Sequence, residues 1–139
     1  MKESTLALIL ALTGLPFCSQ AACSVPETLA GKTFINKTDP AWSPQNPNAD
    51  SMLRLEFHAR DYISHFLKTG GEAKGTYYYR RLSPTVGMIE AQENFAGETT
   101  EFTLTLVCLN AVSGTFVFSQ EKGAIKPDVR QNTGIYTIQ

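Results

Sequence analysis

Residues 75–120 read GTYYYRRLSPTVGMIEAQENFAGETTEFTLTLVCLNAVSGTFVFSQ. Three apolar-rich segments of strand length follow one another, and turn residues end each of them: Ser83-Pro84, then 94–97, then 110–114. Strand-length runs punctuated at short intervals by Gly, Pro and Asn predict an antiparallel meander. Whatever else the chain does, the rest of it has to cover or extend that sheet.

Alternation carries the same pattern outward in both directions. In 98–109, Phe102, Leu104, Leu106 and Cys108 share one face, and Thr103 and Thr105 the other. That is the spacing of a strand with one wall in a core. Further strands are predicted at 31–37, 52–58, 61–67, 75–82, 86–93, 114–119 and 134–138. Residues 38–51 (TDPAWSPQNPNADS) and the polar stretch 121–132 read as the two long connections. With about eight strands and short links elsewhere, the expected fold is all-β: an up-and-down antiparallel barrel, which leaves no sheet edge unpaired. A barrel of that size is either filled by side chains or holds one small ligand.

The N-terminus reads as an export signal over 1–21. Lys2 supplies positive charge, 6–15 is an apolar core, Pro16 ends it, and Ser19-Gln20-Ala21 offers small residues for cleavage. The apolar run is too short to cross a bilayer, which needs roughly 20 residues. A buried core helix is the competing reading, but nothing after Pro16 continues a helical pattern. The mature domain is expected over 22–139, in the periplasm or secreted. Of the three cysteines, Cys18 would leave with the signal. Cys23 and Cys108 remain as an even pair, suited to a disulfide in an oxidising compartment. Lipidation of Cys23 is the alternative, and only that reading would attach the protein to a membrane.

The set Leu29-Ala30-Gly31-Lys32-Thr33, Gly75-Thr76-Tyr77-Tyr78-Tyr79, Leu104-Thr105-Leu106, Ser113-Gly114-Thr115-Phe116 and Gly134-Ile135-Tyr136 resembles the small bacterial lipocalin-like proteins of the calycin type, including MoaF-like domains. The resemblance extends from about Leu29 onward. It implies a barrel and an exported protein. The chain differs from true lipocalins in lacking a Gly-x-Trp near the first strand.

Chemistry-bearing constellations are sparse. The net charge of -1 argues against nucleic acid as a partner, since phosphate neutralisation calls for a basic stripe. His58 and His65 fall on neighbouring strands without a third ligand at metal spacing, and read as solvated surface residues. Glu90, Glu93, Glu98 and Glu101 gather around one turn, where solvation at strand ends is the expected role. The chain carries no G-x-S-x-G and no phosphate-binding glycine loop. No cofactor, no metal and no catalysis are therefore expected.

Two functional readings remain. In the first, a small apolar ligand sits in the barrel or at its mouth, and the aromatic set Tyr62, Phe66, Tyr77, Tyr78, Tyr79, Phe116 and Phe118 lines it or simply packs the core. In the second, the protein is an inhibitor or immunity-type factor that grips a partner protein through the 38–51 loop and the tyrosine strand. The candidate contact residues, for ligand or partner, are Trp42, Tyr77, Tyr78, Tyr79, Arg80 and Arg81.

Overall fold

The computed structural model describes residues 23–139; the predicted signal segment lies outside them. Eight strands follow in chain order: β1 (Thr33–Thr38), β2 (Met52–Phe57), β3 (Asp61–Phe66), β4 (Glu72–Ser83), β5 (Val86–Phe95), β6 (Glu98–Cys108), β7 (Ser113–Lys122) and β8 (Arg130–Ile138). Each pairs antiparallel with its neighbours in sequence, and β8 returns to β1 with Phe34 opposite Ile138, closing the barrel. The expected all-β, up-and-down barrel is what the chain forms, without a helix among the described residues.

Alternation explains the closure. Phe34, Leu55, Tyr62, Ile89, Leu104, Leu106, Phe116 and Tyr136 are buried within the wall. Their outward neighbours include Arg54, Glu56, Lys74, Arg80, Glu90, Glu101 and Lys122, several of them joined in ion pairs across the outer surface. An apolar inside with a charged outside is the reverse of a membrane-spanning barrel, whose apolar band faces lipid.

The two ends differ. At one end the chain entering β1 folds under the barrel. Val25 and Leu29 are almost fully buried there, and the Val25 amide donates to the Pro84 carbonyl at 2.9 Å. Cys23 and Cys108 form a disulfide with their Cα atoms 5.7 Å apart, which ties this plug to the end of β6. One sulfur cannot also carry a lipid thioether, so the pairing takes up the atom that the lipoprotein alternative requires. Above the plug, Phe34 stacks on Tyr136 (5.4 Å) and Phe57 meets Tyr77 edge-on (5.0 Å), so this half of the barrel is filled.

β4, β5, β7 and β8 run beyond the limits predicted from sequence, while β1, β2, β3 and β6 differ by a residue or two. β4 begins at Glu72 and is the longest strand, at 12 residues; β7 runs on to Lys122 and β8 starts at Arg130. The polar stretch 121–132 is therefore strand at both ends rather than one long connection. Of its polar side chains, Arg130 and Asn132 line the open half of the barrel, while Glu121, Lys122 and Gln131 are exposed.

Candidate functional site

The other end is open. It is the end that carries the β1–β2, β3–β4, β5–β6 and β7–β8 connections, and it leads into a cavity of about 570 Å³. That is within the usual size of a small-molecule site. Leu55, Leu104 and Phe116 border the cavity where it meets the filled half, with Leu53 nearer the opening, Phe102 and Phe118 along the wall and Phe66 and Phe95 at the mouth. The last four pack as two pairs, with ring centres 5.1 Å and 5.3 Å apart.

Polar groups are set into this apolar lining. The Arg130 side chain is 6% exposed as a residue and lies in the cavity wall. Its Nε donates to Gln120 Oε1 at 3.2 Å, and its guanidinium carbon stands 4.7 Å above the centre of the Phe118 ring. Gln120 is itself held from behind. Its Nε2 donates to the carbonyls of Ile125 (3.0 Å), Pro127 (3.3 Å) and Asp128 (2.9 Å), the backbone of the β7–β8 connection. Those three acceptors fix which way the amide faces, and leave Oε1 for the arginine. Burial pulls the Arg130 pKa below its ordinary value, but an arginine remains charged.

Glu93 also borders the cavity, on the β5 wall. It accepts a hydrogen bond from the Tyr62 hydroxyl at 3.0 Å. Burial holds its carboxyl above the ordinary carboxylate range, with the tyrosine hydrogen bond working the other way. The same burial, reinforced by the neighbouring carboxylate, drives the Tyr62 phenol far up. Sequence reasoning assigned Glu93 to strand-end solvation; the structure corrects this, because Glu93 follows Ile89 and Ala91 on the inward phase. Asn36 Oδ1 and Ser64 Oγ, also in the lining, are buried without a hydrogen-bond partner among the described residues. At the rim, Lys68 is bonded to Asp50.

The six contact candidates are divided by the fold, and none of them lines the cavity. Tyr77 and Tyr79 point inward near the plugged end. The Tyr77 hydroxyl donates to the His58 carbonyl and the Tyr79 hydroxyl to the Pro26 carbonyl, each at 2.6 Å. Burial pushes the Tyr79 pKa up to about 12. Arg81 pairs with Glu27 at 3.0 Å and bonds Ser24, which clamps the plug segment. Arg80 pairs with Glu90 across β4 and β5 at 2.8 Å. Tyr78 and Trp42 are left exposed, at 61% and 72%.

The 38–51 loop is held in place rather than loose. Asn46, buried at its centre, donates through Nδ2 to the Asp39 and Ala41 carbonyls at 2.9 and 2.8 Å. His58 is exposed in the β2–β3 turn, whereas His65 lies half-buried between Glu56 (3.6 Å) and Glu72 (3.9 Å).

Arg130, Gln120, Asn36 and Ser64 were not singled out from the sequence. The signal was present for two of them. Phe116, Phe118 and Gln120 share one phase, as do Arg130, Asn132, Gly134 and Tyr136, and extending those alternations inward finds both cavity residues. No protein-family model matches the chain, and no curated protein or solved structure does either.

Proposed function

We propose that this is an exported, non-enzymatic, lipocalin-like binding protein that holds a small, mostly apolar molecule in the open half of the barrel. The observation that carries the reading is the asymmetry of the interior. Half of it is packed solid and closed by a disulfide-anchored plug, while the other half keeps a cavity of about 570 Å³ walled by Leu and Phe. A barrel this narrow is either filled by side chains or holds one small ligand, and an open half favours the second. The disulfide suits an oxidising compartment.

Titration with the neutral fluorophore N-phenyl-1-naphthylamine tests this. Saturable enhancement at one probe per chain is expected, and Leu104→Trp, which fills the cavity from β6, should abolish it while the β-sheet circular dichroism persists. A folded wild-type protein that takes up no probe overturns the reading.

A second reading, a periplasmic factor that grips a partner protein, is favoured by the exposure of Trp42 on a fixed loop and of Tyr78. Exposed aromatics on a rigid support are typical anchors. Capture of a periplasmic partner by the wild type should be lost in Trp42→Ala, and equal capture by both would count against that anchor.

A further inference from the structure

We propose that the molecule held in the cavity carries a carboxylate, and that Arg130 is the residue that binds it. The inference rests on the cavity-binding reading and adds the chemical class of the ligand.

Every other charged side chain around the cavity has an internal partner. Asp50 and Lys68 bond to each other at the rim. Glu72 stands near Lys74 (3.4 Å) and His65 (3.9 Å). Glu93 takes the Tyr62 hydroxyl. Among the described residues Arg130 has no carboxylate partner; it has a neutral amide and the face of a ring. A buried cation without a counter-charge is costly, and native proteins rarely keep one. Here the chain also spends a second buried polar residue, Gln120, and three backbone carbonyls on orienting it.

That orientation has a consequence at the atom level. Gln120 takes Nε and Phe118 takes one face, which leaves the two Nη groups without a hydrogen bond among the described residues. Two adjacent N–H donors in one plane match the two oxygens of a carboxylate. The apolar body of such a molecule would lie along Phe102, Phe118 and Leu104.

Competition against bound N-phenyl-1-naphthylamine at pH 8 decides the matter, using decanoate, decanol and decyltrimethylammonium, which share one chain length and differ in charge. Wild-type protein should rank decanoate about ten-fold or more ahead of decanol, as a hydrogen bond to a charged group implies, with the cation weakest. Arg130→Gln should erase the preference, read as the ratio of decanoate to decanol affinity within that variant. Arg130→Lys, which keeps the charge and loses the fork, should retain part of it.

Equal ranking of decanoate and decanol by the wild type, or the cation binding best, overturns the proposal while the cavity reading stands. So does an unchanged preference in Arg130→Gln. The wild-type ranking decides even if that variant does not fold. A protein that takes up no probe overturns both.

Discussion

The Tyr62 hydroxyl donates to the Glu93 carboxylate at 3.0 Å, joining β3 to β5 over the intervening strand. They can meet because Gly75, between them on β4, has no side chain. A Cβ there would stand 2.7 Å from the Tyr62 ring and 2.5 Å from the Gln92 carbonyl oxygen.

The pair makes stability depend on pH in a defined direction. Burial raises the Glu93 pKa in the folded protein, so the folded state holds this proton more tightly than the unfolded chain does. The stabilising contribution is complete below the ordinary carboxylate value, and is lost as pH rises from there through the raised folded value. Asp50 and Asp128, lowered by the lysines beside them, slope the other way, so the wild-type profile is a sum. The difference between wild type and Glu93→Gln isolates the residue. Urea unfolding from pH 4 to 8 should show the variant gaining on the wild type as pH rises; a constant difference would show that Glu93 does not titrate in that range.

Gly75→Ala should destabilise the barrel by about 1–3 kcal/mol, the usual cost of forcing atoms into a packed site. The Tyr62–Glu93 hydrogen bond should be strained in the same variant. Chemical denaturation measures the first effect. Attenuation of the pH-dependent difference in the Gly75→Ala background measures the second.

Reduction of Cys23–Cys108, or their joint replacement by serine, should cost about 4–5 kcal/mol on the chain-entropy model for a loop this long. The loss should be concentrated at the plugged end. Hydrogen exchange ought to accelerate first at Val25 and Gly31, whose amides bond to Pro84 and Phe57, while amides of β5 stay protected.

The β5–β6 hairpin turns on Ala96 and Gly97, both with positive φ (50° and 78°). Such a two-residue turn favours Asn-Gly, and alanine is strained in this region. Ala96→Asn should therefore raise stability by about 0.5–1 kcal/mol, read as a higher urea midpoint with unchanged slope. A fall in the midpoint would mean that the alanine methyl is needed where it sits.

Much of this molecule is legible in its residue order. Phe102, Leu104, Leu106 and Cys108 on one face of β6, with Thr103 and Thr105 on the other, already dictate an inside and an outside, because a strand offers only two directions for a side chain. Turn residues at 83–84, 94–97 and 110–114 dictate where the chain reverses. From those two rules come the strand count and the antiparallel order; they leave open whether Tyr78 or the Tyr77 and Tyr79 pair turns inward.

The candidate site was a different matter. Alternation says that Glu93, Gln120 and Arg130 face in, but not what they face. Whether an inward polar side chain is an error, a loop residue or a cavity anchor depends on how far the interior is filled, and volume is a property of all eight walls together. The closure of β8 on β1 brings Arg130 against Gln120 and Phe118, and the plug at 23–32 fills one end while leaving the other open. Tyr79 and Arg81, which look like contact residues in a strand read alone, are used up on that plug once the chain has folded beneath it. Direction is local and could be read from the chain; occupancy is collective, and only the assembled barrel decided it.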